Sequence, residues 1–283
     1  MAWRVGVDSG GTFTDVCLFD DESGRVEVWK VSSTPDDPSR GIAQGVEEGM
    51  RQVGSDASAI GYLGHGTTVG TNALIQLRGV KTGLITTDGF RDLLEIGRQK
   101  RPDLYDLDCE KPPVLVKRDL RVGVVERLRH DGTVEMALDE DAVRAAACKL
   151  RDAGVQAIAV SFLYAFLAPA HEEAALRIIQ EEAPGLFVCA SHAVAPEFRE
   201  YERTSTAVVN AYLGPIMHNY IQRLSVRLKG LGLPVEPQLT QSNGGVIGFP
   251  TAAAFPVRTV LSGPSTGVVA AQELGRAAGM PDL

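Results

Sequence analysis

The sequence predicts a protein of the α/β class with a mixed central sheet, on three observations. Strand-like and helix-like segments alternate along its 283 residues, which is typical of layered α/β folds. Three apolar runs at the start of the chain are separated only by tight turns, which predicts an antiparallel meander. A strand–helix–strand pattern within residues 60–86 predicts a parallel crossover.

Local patterns define the elements of the first third of the chain. A Gly-rich turn separates the first two strands, and the partial helical spacing of Ile42, Val46 and Met50 predicts the first helix. In chain order, the predicted elements are strands at Trp3–Val7, Phe13–Phe19 and Val26–Ser32, a helix over Pro38–Val53, a strand at Ile60–Gly64, a helix over Thr71–Arg78 and a strand at Lys81–Thr86.

Residues 88–138 differ from the segments around them, because charged residues and prolines interrupt the apolar pattern. We interpret this range as an inserted excursion outside the core of the sheet. It ends in a hairpin with predicted strands at Val122–Arg129 and Thr133–Leu138. The Asp131-Gly132 pair between them predicts a turn of the primed type.

Helix and strand signals alternate again after the excursion. Asp139 is a predicted N-cap, and Gly154 is the predicted C-terminal stop of the same helix. The remaining predicted elements are a helix from Asp139 to Ala153, a strand at Val155–Phe162, a helix over Pro169–Glu182, a strand at Leu186–Ala190, helical residues 197–229 with a break at Gly214-Pro215, strands at 235–240 and Arg258–Leu261, and a helix from Ser262 to Ala278.

Composition excludes several classes of protein. The net charge of -8 argues against nucleic acid as the main partner, since phosphate binding needs a basic face. The longest apolar stretch, Ala157 to Ala168, has 12 residues, whereas a membrane-spanning helix needs about 20. We therefore expect neither a membrane partner nor a signal peptide.

The four cysteines show no zinc-binding spacing and no CxxC pair; they are Cys17, Cys109, Cys148 and Cys189. Cys17 and Cys189 lie in apolar, strand-like runs, which predicts buried thiols. Thiols without a disulfide framework fit a reducing compartment, so we expect a cytoplasmic location.

The clearest candidate site is the loop between the first two strands, Asp8-Ser9-Gly10-Gly11-Thr12-Phe13-Thr14-Asp15. Adjacent glycines let backbone N–H groups approach an anion closely. The hydroxyl groups of Thr12 and Thr14 could donate to phosphate oxygens, and Asp8 could hold a magnesium ion. The alternative is an ordinary hairpin turn, which needs glycine but has no need of these polar neighbours.

This loop resembles the first phosphate loop of the superfamily that includes actin, heat-shock chaperones and sugar-kinase ATPases. A second segment, His65-Gly66-Thr67-Thr68-Val69-Gly70-Thr71-Asn72, is similar to the A-type subunit of the hydantoinase/oxoprolinase family. Further matches to that family span residues 4–275, including Glu200-Tyr201-Glu202-Arg203, Gln241-Ser242-Asn243-Gly244-Gly245 and Leu261-Ser262-Gly263-Pro264.

The resemblance implies a ribonuclease-H-like, actin-like ATPase lobe at residues 1–190 and the start of a second lobe at 191–283. It also implies ATP and Mg²⁺ as cofactors, with phosphorylation activating the carbonyl of a cyclic amide such as a hydantoin or 5-oxoproline. The implied partners are a small-molecule substrate and the B-type subunit of the same family.

The same resemblance assigns roles to particular residues. Asp8 would bind magnesium and act in catalysis together with His65. The cofactor-binding residues would be Gly10, Gly11, Thr12, Thr14, Asp15, Gly66, Thr67, Thr68, Asn72, Ser242, Asn243, Gly244, Gly245, Ser262 and Gly263. Two alternatives stay open at this point: His65 could merely cap a helix or bond across its loop, and the two later motifs could be ordinary turns.

Other polar clusters are interpreted as surface. The stretch Arg98-Gln99-Lys100-Arg101 is typical of a solvated face, although it could contact an acidic substrate. Asp103, Asp106 and Asp108 lack the glycine turn and terminal glutamate of a calcium loop. The histidines His130, His171, His192 and His218 share no spacing and are interpreted as surface or core residues.

Two other functions are compatible with these motifs. Within the family, the chain could belong to an ATP-dependent ketone carboxylase. From a different class, it could be a non-catalytic, nucleotide-binding switch or assembly module. A sugar kinase is disfavoured by the His-Gly-Thr-Thr segment and by the excursion.

The family's second phosphate loop is expected to follow residue 283, since the 283 residues contain only one Gly-Gly-Thr. Because the superfamily binds its nucleotide between two lobes, we predict that residues 1–283 alone hydrolyse little MgATP. Phosphate release from the purified fragment tests this prediction, and robust hydrolysis would contradict it.

Overall fold

A computed structural model describes residues 3–100, 103, 105–106, 108–109 and 111–280. The α/β class and the mixed sheet are confirmed. The chain divides into two compact units, one formed by Met1–Gln76 and Ile216–Leu283 and the other by Leu77–Pro215. The boundary that we expected at residue 190 separates two lobes of the implied fold, which are not the same as these two units. That boundary stays a prediction.

Strands and helices alternate along most of the chain. The strands are β1 Trp3–Ser9, β2 Phe13–Asp20, β3 Val26–Ser32, β4 Ile60–Thr67, β5 Thr82–Thr87, β6 Arg121–Val124, β7 Arg127–Leu128, β8 Val134–Met136, β9 Ala157–Ser161, β10 Phe187–Ala190, β11 Gln238–Thr240 and β12 Val246–Gly248. The helices are α1 Pro38–Gln52, α2 Val69–Ile75, α3 Leu93–Ile96, α4 Glu140–Asp152, α5 Ala170–Glu182, α6 Ser191–Val194, α7 Glu200–Gly230, α8 Phe249–Ala254 and α9 Ser262–Ala277. Short 3₁₀ turns occupy Ala57–Ala59, Arg118–Leu120 and Pro256–Thr259.

The first unit contains a six-stranded sheet in the order β12-β11-β4-β1-β2-β3. Strands β1, β2 and β3 form the predicted antiparallel meander. Strand β4 runs parallel to β1 on one side and to β11 on the other. The predicted crossover between β4 and β5 is wrong, because β5 pairs with β6 and β9 in a different sheet.

The two faces of this sheet differ in burial. Along β1, Trp3, Val5 and Val7 are buried, whereas the alternate residues are exposed. Helix α1 covers the buried face so closely that a Cβ on Gly45 would lie 2.9 Å from a methyl carbon of Val16. Cys17 lies on the opposite face and is exposed, so its predicted burial is wrong, whereas Cys189 is buried as predicted.

The second unit contains a parallel sheet in the order β10-β9-β5-β6. Both central strands, β5 and β9, are buried along their whole length, as expected for strands covered on two faces. Strand β6 lies inside the range that we interpreted as an excursion outside the sheet. That interpretation is therefore wrong for Arg121–Val124, because part of the strand predicted at Val122–Arg129 pairs with β5 in the sheet.

The hairpin at the end of the excursion is present, with β7 paired to β8. Its turn is not of the primed type, because Gly132 has a positive φ of 83° and Asp131 does not. The Gly132 amide donates to the Arg129 carbonyl, and the Arg129 amide donates to the Thr133 carbonyl. This is the three-residue loop in which a left-handed glycine follows a tight turn.

Two predictions for the last third of the chain are wrong. Helix α7 continues through Pro215 without the predicted break. The Phe187 ring packs so closely on Gly214 that any larger side chain there would clash, and the Tyr212 carbonyl near the proline accepts from the Val80 amide. The strand predicted at Arg258–Leu261 is replaced by a 3₁₀ turn, and strand β12 was not predicted.

The second unit is held together by a buried cluster of charges at the carboxyl ends of β9 and β10. The buried Glu172 carboxylate accepts from the amides of Phe162 and His192, from the Ser191 hydroxyl and from the His192 ring. Arg203, also buried, donates to the same Ser191 oxygen and to the Phe162 carbonyl. Both carboxylate oxygens of Glu172 are thus used in joining strand ends to helices.

Across the part of the chain that the structure describes, every helix is too short or too polar to cross a lipid bilayer.

We predict that Glu172→Gln destabilises the second unit by about 3 kcal/mol, because glutamine has one accepting oxygen for donors that now share two carboxylate oxygens. Urea unfolding and amide hydrogen exchange over α5 measure the effect. The exposed neighbour Glu173 lies on the same helix, so Glu173→Gln is the matched control. Equal effects of the two substitutions would contradict the assignment.

Candidate functional site

The predicted site loops of the first unit meet at the edge of the sheet where the parallel strands β1, β4 and β11 end. Three hydrogen bonds connect them. The Thr68 hydroxyl donates to the Ser9 carbonyl at 3.4 Å, and the Leu261 amide donates to the Thr71 hydroxyl at 2.9 Å. The Ser265 hydroxyl donates to the Ser242 carbonyl at 2.5 Å. The carboxyl edge of parallel strands is where α/β sheets commonly bind ligands.

The turn between β1 and β2 exposes only part of the predicted phosphate loop. The Gly10 amide donates to the Phe13 carbonyl at 3.0 Å, so this N–H is used within the turn. The Ser33 hydroxyl donates to the Gly10 carbonyl at 2.8 Å and holds the turn against β3. Gly11 and Thr12 are exposed, and the position of a Cβ on Gly11 has open space around it. These two residues form the outer side of the turn.

Thr14 lies away from that outer side. It is fully buried, and its hydroxyl shares a hydrogen bond of 3.0 Å with the Ser33 hydroxyl. Because strand residues alternate between faces, Thr14 belongs to the buried face together with Ser9. The hydroxyl that we predicted as a phosphate donor therefore anchors the hairpin instead.

Two carboxylates lie side by side on the open face of the sheet. Asp8 pairs with Asp15 across β1 and β2, and Asp15 forms an ion pair of 3.0 Å with Lys30 of β3. Partial desolvation of the Asp8 carboxyl group, followed by the nearby charge of Asp15, raises the pKa of Asp8. Asp8 is the member of this pair that has no basic partner among the ion pairs of the described residues.

This arrangement fits a magnesium ion of the type that uses phosphate oxygens and water as most of its ligands. In the described part of the chain, no group of three or more His, Cys, Asp or Glu residues is arranged to hold a metal ion. Magnesium at nucleotide sites usually takes only one or two protein carboxylates. Asp8, with Asp15 beside it, meets that requirement.

His65 is placed on the buried face, where its ring has no exposure. Its Nδ1 lies 3.2 Å from the Val7 carbonyl oxygen, and its Nε2 lies 2.5 Å from the Tyr220 hydroxyl. Since a carbonyl only accepts, Nδ1 carries the proton and Nε2 accepts from Tyr220. Burial lowers the pKa of His65 to about 4, so the ring is neutral at physiological pH.

The His65 side chain, which belongs to β4, therefore links this strand to β1 through Val7 and to α7 through Tyr220. The structure does not bring its ring onto the face that carries Asp8, and a direct catalytic role stays a prediction of the sequence. The alternatives that His65 caps the helix or bonds across its loop do not describe these contacts either, because Val7 belongs to β1 and Tyr220 to α7.

The residues after His65 have divided roles. The Thr67 hydroxyl accepts from the Val69 amide at 3.2 Å and caps the start of α2. Thr68 and Asn72 bond to each other at 3.3 Å on an exposed helix face. Gly66 lies on the open face, where a Cβ would be only 3.2 Å from an Asp8 carboxylate oxygen.

The segment Ser242–Gly245 is the turn between β11 and β12. The Asn243 side chain accepts from the Gly245 amide at 2.9 Å, and Gly244 has a positive φ of 82°. The Ser242 hydroxyl lies 2.8 Å from the Arg258 carbonyl and 2.5 Å from the Val260 carbonyl. The Asn243 bond is local, as in an ordinary turn, whereas the Ser242 hydroxyl joins this turn to the segment before α9. The turn also supports the start of α9 through Ser265.

Ser262 differs from the other predicted residues because its hydroxyl has no partner. It is the first residue of the 16-residue helix α9 and is buried. Its hydroxyl is one of three buried side-chain polar atoms that lack a hydrogen bond among the described residues. Leu261 before it takes a left-handed φ of 60°, and Gly263 after it is exposed. A helix N-terminus with an unused buried hydroxyl is suited to an anion.

The sequence analysis missed Thr240, the last residue of β11. Its hydroxyl oxygen is the second of the three unpartnered buried atoms, and it lies 3.8 Å from the position of a Cβ on Gly66. Only the pairing of Leu239 with His65 brings Thr240 beside Gly66. No local signal in the sequence reports that register.

The remaining polar clusters belong to the second unit. Arg98 forms an ion pair with Glu202 at 2.5 Å, so this cation is partly neutralised. Asp103 and Asp106 are exposed and each accept from a backbone amide two residues later. His171 pairs with the buried Glu126 at 2.9 Å, and His192 pairs with Glu172 at 2.7 Å. Arg101 lies outside the described residues.

We predict that acid destabilises the first unit through His65. The unfolded imidazole binds a proton near pH 6.5, whereas the folded one does so only near pH 4, so the free energy of unfolding falls as the pH drops through this window. The maximum loss from this group is about 3 kcal/mol.

The substitution His65→Asn keeps a donor toward the Val7 carbonyl and removes the titrating group. Urea unfolding between pH 4 and 7 should therefore show a flatter pH dependence for this variant than for the wild type. Parallel pH dependences of the two proteins would contradict a neutral buried His65.

Comparison with known proteins supports the motifs found in the sequence. The family model of the hydantoinase/oxoprolinase N-terminal region matches residues 4–183, and the hydantoinase/oxoprolinase model matches residues 203–283. The chain is 39% identical over 283 residues to the alpha subunit of the caprolactamase of Pseudomonas jessenii, covering 96% of this chain and 40% of that protein. It is 36% identical over 283 residues to the acetophenone carboxylase gamma subunit of Aromatoleum aromaticum, covering 94% and 38%.

Solved structures agree with the predicted fold. The crystal structure of the P. jessenii ATP-dependent caprolactamase matches with a TM-score of 0.88 and 38% identity, over 98% of this chain and 41% of that one. A nucleotide-free acetone carboxylase matches with a TM-score of 0.89 and 29% identity, over the same shares of the two chains. These matches confirm the actin-like ATPase fold class.

The chain spans about two fifths of the length of these relatives. One family model covers well over half of the chain and the second covers most of the remainder. Together with the loop cluster at the edge of the six-stranded sheet, these matches show that the chain belongs to the hydantoinase/oxoprolinase family.

Proposed function

We propose that this chain is part of an ATP-dependent enzyme that phosphorylates the carbonyl oxygen of a cyclic amide and so activates the ring for opening. The observation that carries the proposal is the position of Asp8, an exposed carboxylate at the carboxyl edge of the sheet beside the outer turn of Gly11 and Thr12. The similarity to one subunit of a caprolactamase supports a lactam or hydantoin as the substrate class.

The residues of the first unit supply binding groups for a phosphate chain. Gly11 leaves space for close approach of the backbone, and Thr12 presents an exposed hydroxyl. The N-terminus of α9 adds the Ser262 hydroxyl, which has no partner in the described part of the protein. Donors that are already positioned cost little reorganisation when charge develops on a transferring phosphoryl group.

The carboxylates complete the site. Asp8 and Asp15 would hold Mg²⁺, which when bound neutralises negative charge on phosphate oxygens. Lys30 compensates the charge of Asp15, so Asp8 is left with an unbalanced negative charge and a raised pKa. A cation or an O–H group near Asp8 would relieve that cost.

A ketone carboxylase is the second candidate function. The similarity to acetophenone carboxylase and to the acetone carboxylase structure favours it, because phosphorylation of an enol oxygen would use the same phosphate site. Turnover of ATP that requires bicarbonate and a ketone would identify a carboxylase. Turnover stimulated by hydantoins, 5-oxoproline or lactams without bicarbonate would identify an amide hydrolase.

A third candidate belongs to a different class, the nucleotide-binding switch or assembly module. Binding of MgATP without hydrolysis stimulated by any of these substrates would favour it. The main proposal includes a cytoplasmic location and a partner subunit. The partner subunit is supported by relatives that are named as subunits.

We predict that Asp8→Asn reduces substrate-stimulated ATP hydrolysis at least 100-fold, because the variant loses the carboxylate that faces the phosphate site. The same change should leave the thermal midpoint unchanged or raise it. The raised pKa of Asp8 means that its ionised form costs stability at neutral pH, and asparagine removes that cost.

The experiment compares the wild type, Asp8→Asn and Asp119→Asn in the full protein with its co-purifying subunit. Asp119 is exposed and lies in the second unit, so its substitution controls for loss of one negative charge. Full activity of Asp8→Asn would overturn the proposed role of Asp8, and a large loss of thermal stability would show a structural role instead.

A further inference from the structure

We propose that the Asp8 carboxylate and the Thr240 hydroxyl hold one water molecule beside Gly66, and that Thr240 is a positioning residue for the Asp8 carboxylate. The expected effect of Thr240 on turnover rests on the proposed function, whereas the water site does not. The water site itself follows from the arrangement of oxygen atoms around Gly66.

Apart from the chain neighbours of Gly66, the three protein atoms nearest to its Cβ position are all oxygens. They are an Asp8 carboxylate oxygen at 3.2 Å, the Thr240 hydroxyl at 3.8 Å and the Val7 carbonyl at 3.8 Å. Any other residue at position 66 would place a methyl or methylene group among them. Glycine keeps the space beside the Asp8 carboxylate and the Thr240 hydroxyl free of a side chain.

The buried hydroxyl oxygen of Thr240 indicates that a further group binds at this position. Its hydroxyl oxygen is buried and has no hydrogen-bonding partner in the described part of the protein. A buried hydroxyl without a partner is costly, and such groups in native proteins usually mark an ordered water or a ligand. Thr240 is the last residue of β11. It follows Leu239, which pairs with His65, and therefore lies beside Gly66.

The chemistry of the Asp8 and Thr240 oxygens selects the occupant. A carboxylate only accepts hydrogen bonds, so the occupant must donate to Asp8. The Thr240 hydroxyl can then donate to the occupant, which supplies the bond that it lacks. Water donates two hydrogen bonds and accepts at least one, and buried waters typically make about three.

The same contacts give Thr240 its positioning role. The Val7 carbonyl takes no part, because it accepts from the His65 ring at 3.2 Å and its other lone pair serves the pairing of β1 with β4. A water held by Asp8 and Thr240 fixes one oxygen of the Asp8 carboxylate. The other oxygen is left for the phosphate site.

The test uses three variants of the full protein. Thr240→Val keeps the shape and removes the hydroxyl, Thr240→Ser keeps the hydroxyl, and Gly66→Ala fills the water volume. Thr251→Val on the exposed start of α8 is the matched control. The measurements are a high-resolution crystal structure of the free protein, the thermal midpoint, the dissociation constant for MgATP, and kcat and KM for substrate-stimulated ATP hydrolysis.

We expect density for a water within hydrogen-bond distance of the Asp8 carboxylate and the Thr240 hydroxyl in the wild type, and none in Gly66→Ala. Thr240→Val should lower kcat about 10-fold, the effect of one hydrogen bond, with little change in KM or in the dissociation constant. Thr240→Ser should restore kcat to within about 2-fold. The midpoint should change little in Thr240→Val, because the hydroxyl contacts no described protein group.

Three results would overturn the inference. The volume above Gly66 could hold no density, it could hold a metal ion with short oxygen contacts, or Thr240→Val could retain the kcat of Thr251→Val while the wild type is active. A wild-type protein that does not hydrolyse ATP with any substrate would instead overturn the proposed function. The crystallographic test of the water would remain decisive in that case.

Discussion

The candidate site depends on the parallel pairing of β4 with β1 on one side and with β11 on the other. This pairing brings the ends of three strands, which are far apart in the sequence, to one edge of the sheet. The Gly-rich turn after β1, the helix after β4 and the turn after β11 all begin there. Each loop contributes little by itself, and the hydrogen bonds between them depend on the register of these strands.

The alternation of strand residues then divides the motifs into two sets of roles. On the buried face, Thr14 and His65 bond to Ser33, Val7 and Tyr220 and hold the sheet to its neighbours. On the open face, Asp8 and Gly66 lie beside one another, with the Thr240 hydroxyl next to Gly66. A single motif therefore combines residues that hold the sheet to its neighbours with residues on its open face.

The second unit shows a different use of polar residues at strand ends. Its parallel strands also end in polar groups, but there Glu172 and Arg203 occupy the edge. Both bond to the Ser191 hydroxyl, and Arg203 also donates to the Phe162 carbonyl. The buried hydroxyls of the first unit, Thr240 and Ser262, have no such partners among the described residues. The third unpartnered buried atom among the described residues, a carboxylate oxygen of Glu202, belongs to α7 in the second unit.

The sequence by itself determined the α/β class, the antiparallel meander, the helix at Glu140–Asp152 and the motifs that define the family, because these depend on local periodicity and on residues close in the chain. Only the tertiary structure decided that β6 joins the second sheet, that α7 passes through Pro215, and that Thr240 lies beside Gly66. It also decided which face His65 and Thr14 occupy. The physical reason is that strand register and side-chain burial follow from pairing between distant segments, and local sequence carries no record of that pairing.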